Sequence, residues 1–235
     1  MKKNQTWIIP GIFFLAAVSA NLLGCVTGNL ALEHGAKGAL LPLLSLTGIT
    51  YLAARSFDMR TASILILAQL FGWAGDSLLM GEPFAMFASG LGAFLLGHVC
   101  YISIFSRSLK GMSAGGWVIT VIVKVCILVA LVLAIGIHGA LLPPMFIYGA
   151  ALLTIIWCGL RGILKKDRKG LAPKSVWVLI MLGGLLFLFS DGLIAMRTFG
   201  MGDFPQRGFV IMATYILAQV LLGTAGCRLA IYAKK

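Results

Sequence analysis

Acidic side chains are nearly missing from this sequence: seven Asp and Glu stand against nineteen Lys and Arg in 235 residues, and charged residues make up 11% of the chain. So little charge cannot cover a water-soluble surface when 60% of residues are hydrophobic and mean hydropathy is +1.01. Long polar tracts are also lacking, which excludes a disordered chain. Strict apolar/polar alternation is absent, which excludes an outer-membrane barrel. Cysteine is scarce and odd in number. Cys25, Cys100, Cys126, Cys158 and Cys227 show no metal-ligand spacing and read as small apolar side chains, not as a disulfide framework or a zinc site.

What is present is a succession of apolar runs about 20 residues long, enough to cross a bilayer. Their boundaries at charge, Gly or Pro predict one membrane domain over residues 1–235, an all-α integral membrane bundle of about eight transmembrane helices. The spans fall at about 6–28, 38–54, 61–80, 84–106, 114–135, 141–160, 175–197 and 208–231. With the N-terminus inside, fifteen basic residues, among them Lys2, Lys3, Arg168 and Lys235, fall on the inner side. Only Lys37, Arg197 and Arg207 fall outside, and Lys124 lies within a span. This bias predicts cytoplasmic termini and an inner-membrane location of bacterial type. The net charge of +12 is then loop charge that orients the chain, so no nucleic-acid partner is implied. The basic loop over residues 161–174 reads as such an orientation signal. Met1-Lys2-Lys3 with Val18-Ser19-Ala20 has the form of a signal peptide, but the apolar run continues to about Val26, so it reads as a retained span.

In hydrocarbon an ionisable side chain is expensive, and each one inside a span is a functional candidate. Asp76 in the third span and Asp191 in the seventh share a depth, roughly 7–9 Å outside the midplane. Tyr215 in the eighth span reaches a similar level, while Gln219, one turn below, and His98 in the fourth lie near the centre. Gln69, Gly72, Trp73 and Asp76 share one helix face, as do Tyr215 with Gln219 and His98 with Tyr101. Asp76 precedes Tyr101 by 25 positions and Asp191 precedes Tyr215 by 24, a spacing compatible with two parallel four-helix halves. Lys124 could pair with an Asp, be a neutral buried amine, or mark a misplaced helix. Gly72, Gly75, Gly90, Gly92, Gly97, Gly183 and Gly184 are expected to let helices approach closely.

A serine hydrolase would favour a Gly-x-Ser-x-Gly elbow, and the expectation here is that the chain has none. A zinc hydrolase needs several inward His residues, whereas His34 and His138 fall in outer loops and only His98 lies in a span. The paired carboxylates remain. Two acids in a partly dry cavity can split roles, one protonated and one ionised, which suits cleavage through an oxocarbenium-like state. The same pair suits a proton-coupled transporter or a lipid carrier. Metal ligation is not expected.

The sequence resembles the YhhN-like transmembrane proteins, a family that includes the lysoplasmalogenases. The likeness covers about two-thirds of the chain, in LPLLSLTG near the second span, GDSLLM at Asp76, FASGLGAFLLGHVCYISIF around His98, FLFSDGLIAMRTF around Asp191 and RGFVIMATYILAQ around Tyr215. Some bacterial members carry Lys just before the Pro of the second span, where this chain has Leu41. The resemblance implies hydrolysis of the vinyl ether bond of lysoplasmalogen to a fatty aldehyde and a glycerophospho-ethanolamine or -choline, without a cofactor. A lysophospholipid is then the substrate partner. Asp76 and Asp191 become the catalytic pair, with His98, Tyr101, Tyr215 and Gln219 orienting water or headgroup. Arg197 and Arg207, flanking the turn between the last two helices, become candidates to hold the phosphate.

Overall fold

The computed structural model describes residues 5–81, 84–167, 169–201 and 203–234. Lys2, Lys3, Arg168 and Lys235, which enter the charge bias, lie outside the described residues. Eight helices follow one another: α1 (Ile8–Thr27), α2 (Leu30–Ala53), α3 (Met59–Leu79), α4 (Phe84–Phe105), α5 (Ala114–Ile135), α6 (Leu142–Leu164), α7 (Lys174–Thr198) and α8 (Arg207–Ala233). All eight are long and apolar enough to span a membrane. Short connections make sequence neighbours antiparallel, so α3–α4, α7–α8 and α6–α7 pack side by side, with α8 also meeting α1, α2 and α3.

The ends are set by local chemistry. Asn29, Asp58 and Ser113 each accept a backbone N–H of the first turn of α2, α3 and α5, satisfying donors that a helix start leaves open. Asp58 also accepts the Thr61 hydroxyl at 2.6 Å, and these Thr61 hydrogen bonds hold its carboxyl below the ordinary carboxylate value. Gly28 and Gly136 close α1 and α5 in the left-handed region, at φ 70° and 67°. The letters of the serine elbow do occur, at Gly111-Met112-Ser113-Ala114-Gly115, contrary to the sequence expectation. The Ser113 hydroxyl oxygen is committed to the cap, accepting the Gly116 N–H at 3.2 Å, and a turn with no preceding strand leads into it.

Two further expectations change. The second helix starts at Leu30, not near 38, because Asn29 caps it and the residues through Lys37 continue the helix despite their polarity. Lys37 and His34 are therefore helical, not loop residues. Of the glycines expected at helix contacts, Gly72, Gly75, Gly90, Gly97, Gly183 and Gly184 behave as such, since an added Cβ would lie 2.6–3.1 Å from a neighbour. Gly92 meets nothing within 4 Å and serves no contact of this kind.

Pro42 lies inside α2. It has no N–H to give the Gly38 carbonyl one turn back. The Trp73 indole fills the vacancy, donating to that carbonyl at 2.9 Å. The face of α3 carrying Gln69, Trp73 and Asp76 is thus latched to α2 in three places: Ser45 donates to Gln69 at 2.8 Å, Trp73 donates to Gly38, and Lys37 pairs with Asp76.

Candidate active site

Asp76 and Asp191 each lie seventeen residues along from their helix starts, Met59 and Lys174, and since alternation makes α3 and α7 run in the same direction, both reach one level about 25 Å along their helices. Around that level the side chains form two clusters joined by rings.

The first is a buried hydrogen-bonded chain across α2, α3, α4 and α8. The Tyr101 hydroxyl donates to Gln219 Oε1 at 3.2 Å, Gln219 Nε2 donates to the Tyr215 hydroxyl at 3.2 Å, and Tyr215 donates to Asp76 Oδ2 at 2.5 Å. The other carboxylate oxygen faces Lys37 Nζ at 3.5 Å. Every member but Lys37 is fully buried, and Lys37 nearly so. Such a chain is stiff, because breaking one link strands a polar group where water cannot replace the partner, at about 1–3 kcal/mol.

The second cluster is smaller. Tyr148, on α6, donates its hydroxyl to Asp191 Oδ2, and among the described residues no cation pairs with this carboxyl. Asp191 is only partly covered, and it opens onto apolar crevices lined by α4, α5 and α6. His98 stands between the clusters. Its ring packs edge-on against Tyr148 and Phe187, with centroids 5.1 and 4.6 Å apart, and Phe187 in turn meets Tyr215 at 5.4 Å. The His98 Nδ1 is buried without a hydrogen-bond partner. A buried polar atom left open in this way has capacity for water or substrate.

The sequence-level candidates therefore separate. Asp76, Tyr101, Tyr215 and Gln219 meet in one chain; Asp191 sits across the aromatic bridge, with His98 between. Arg197 and Arg207 are elsewhere, lining a cavity of about 680 Å³ between the end of α1 and the α7–α8 turn, with Cys25 and Asp203. Arg197 is exposed there. Arg207 is buried and partly committed to its own turn: it donates to the Met201 carbonyl at 2.9 Å, faces Asp203 at 3.6 Å and lies over the Phe204 ring. Lys124 is partner to neither Asp; it donates to Thr154 on α6 at 3.1 Å.

Two site residues escape a reading of the sequence. Lys37 looks like a loop charge, although Lys37, Leu41 and Ser45 recur every four residues on one face, the face that meets Asp76 and Gln69. Tyr148 lies in an apolar run, and only its depth, matching that of Asp191, marks it out. The 25- and 24-residue Asp-to-Tyr spacing does not translate into paired contacts: Asp76 is bonded by Tyr215 of α8, whereas Asp191 is bonded by Tyr148 of α6. Among the described residues, no three His, Cys, Asp or Glu side chains form a metal-ligand set.

These features define a polytopic helical membrane protein with two carboxylates held in a lattice of phenols, amides and one lysine. The chain belongs to the YhhN family, which it matches over residues 32–226, a stretch that contains both carboxylates and all of their partners. It is similar to the lysoplasmalogenase TMEM86B of Homo sapiens, 29% identical over 188 residues that cover 80% of this chain and 73% of the human protein. It is also similar to the lysoplasmalogenase TMEM86B of Rattus norvegicus, 30% identical over 154 residues, which are 66% of this chain and 57% of the rat protein. No solved structure matches the chain.

Proposed function

We propose that this protein is a membrane-embedded lysoplasmalogenase, hydrolysing the vinyl ether bond of a lysoplasmalogen to a fatty aldehyde and a glycerophospho-ethanolamine or -choline. The observation that carries this reading is the unequal environment of two carboxylates at one depth, in a chain whose relatives bear that name. Lys37 supplies the countercharge with which Asp76 stands ionised. Asp191, with a phenol for company and apolar surroundings, holds the proton.

The reaction then balances on these two groups. The Asp191 carboxyl delivers its proton to the vinyl carbon beta to the ether oxygen, leaving an oxocarbenium ion at the other carbon. The Asp76 carboxylate stabilises that cation and takes a proton from the attacking water, which forms the hemiacetal. On collapse Asp76 returns its proton to the departing ether oxygen and Asp191 takes the hemiacetal hydroxyl proton. Aldehyde and alcohol leave, and both carboxyls are back in their starting states. Tyr148 and Tyr215 fix the carboxyl planes, while His98 Nδ1 offers water a partner.

The lipid phosphate sits at the end of the bundle bearing the α7–α8 turn, held chiefly by the exposed Arg197. The concentration of basic residues in the loops at the opposite end supports a cytoplasmic side for that end and for both termini. Purified protein in detergent should release aldehyde from a vinyl ether lysolipid and none from its saturated alkyl analogue, which cannot be protonated to an oxocarbenium ion. Absence of aldehyde, with lipid or proton movement in sealed vesicles, would replace this reading by a carrier.

A further inference from the structure

Asp191 lies where two apolar crevices meet. One, of about 90 Å³, runs between α5, α6 and α7 past Leu128, Val132, Leu152, Leu188 and Gly192. The other, of about 50 Å³, lies toward α4 against Leu79 and Phe94. Both include Tyr148 and Asp191, so hydrocarbon lying in either would have its end at the carboxyl. The first follows the helices from the level of Ile135 and Ala195 to that of Leu128 and Leu188, about 10 Å toward the middle of the bundle.

The wall on one side is unusual. α5 is the most apolar helix and the least buried, and it meets the bundle along a single stripe of Thr120, Lys124, Leu128 and Ile135. Lys124 pins that stripe to α6 through Thr154. Near Leu128 the fit is tight, since a Cβ on Gly149 would lie 2.7 Å from its Cδ2. At Gly192, the residue after Asp191, a Cβ would meet nothing within 4 Å. The chain thus leaves open space beside the carboxyl and closes it one level lower.

We propose that the α5–α6–α7 crevice is the slot for the hydrocarbon chain of the substrate lipid, and that Gly192 and Leu128 set how long a chain it accepts. The occupant follows from continuity: apolar walls lead without interruption to the group that protonates the vinyl carbon, and the hydrocarbon begins at that carbon. This inference rests on the lysoplasmalogenase reading for the identity of the chain, but not for its presence in the slot.

The test compares kcat/KM for a long-chain and a short-chain vinyl ether lysolipid. Gly192→Leu should lower the long-to-short ratio about tenfold, equivalent to roughly two methylenes expelled from an apolar site. Leu128→Ala should raise that ratio, and serves if Gly192→Leu does not fold. Unchanged ratios in folded variants, as judged by thermal melting in detergent, overturn the slot. A second arm needs no turnover: a single-chain lysophospholipid bearing a diazirine along its chain is photolysed with wild-type protein, and labelled peptides are identified. Label on α5 and α7 near Leu128 and Gly192 supports the slot even if no aldehyde forms, an outcome that would sink the enzymatic reading alone. Label confined to the α1 or α2 outer faces overturns it.

Discussion

Asp76 and Asp191 occupy the same level of the same bundle, yet the regions around them are built on opposite plans. Asp76 is sealed inside the bundle, with an ammonium from α2 and a phenol from α8 on its two oxygens. Asp191 has one phenol and faces apolar surface that is partly open. Depth alone does not assign chemistry to a buried carboxyl; the helices that face it do. α2 brings Lys37 to one, and α6 brings only Tyr148 to the other. In the proposed mechanism this difference is what makes one of two identical groups the base and the other the acid.

The comparison breaks most severely if either carboxyl is neutralised. Asp191→Asn and Asp76→Asn should each lower kcat by about 10²–10⁴-fold, the usual worth of a positioned proton donor or acceptor. Turnover by purified, folded variants decides it, and near-normal rates in either would refute the shared mechanism. Next comes Lys37→Met, which removes what makes the two sites unlike. We expect a loss of about tenfold to a hundredfold, and a bell-shaped rate profile whose acid limb moves to higher pH by more than its alkaline limb, since Lys37 pairs directly with Asp76 and reaches Asp191 only from a distance. A profile displaced on its alkaline limb alone would exchange the roles of the two carboxyls.

At the phosphate end, Arg197→Ala should raise KM several-fold with little change in kcat, because a phosphate contact is shared by ground and transition states. Arg207→Ala should combine a KM effect with lower thermal stability, as the Met201 and Asp203 contacts go with it. Equal KM for wild type and Arg197→Ala would move the headgroup elsewhere. The smallest effect is expected at Trp73→Phe, which leaves the Gly38 carbonyl unpaired and should cost about 1–3 kcal/mol of stability in a reversible unfolding assay.

The spans were legible because a bilayer demands some twenty apolar residues in a row, and seven of the eight helices begin within two residues of where composition starts them. α2 was not, since Glu33, His34 and Lys37 look like loop residues to any measure that averages hydropathy. The carboxylates, Tyr101, Tyr215 and Gln219 were legible through depth and helix face. Their mutual contacts were not, because which helices stand next to each other is decided by close packing at residues such as Gly75 and Gly183, and sequence spacing does not encode it. The regular interval from each Asp to a following Tyr suggested equivalent pairs, whereas packing gave each carboxyl a phenol from another helix.

The indole of Trp73 occupies the hydrogen-bond position that Pro42 empties, so two residues on separate helices act on one and the same carbonyl. Loss of the proline alone returns the Gly38 carbonyl to its own helix and leaves the indole a rival donor; loss of the tryptophan alone leaves the carbonyl vacant. The interruption in the hydrogen bonding of α2 is in this sense a tether beside the candidate site's charge, since the carbonyl it frees belongs to Gly38, the residue after Lys37.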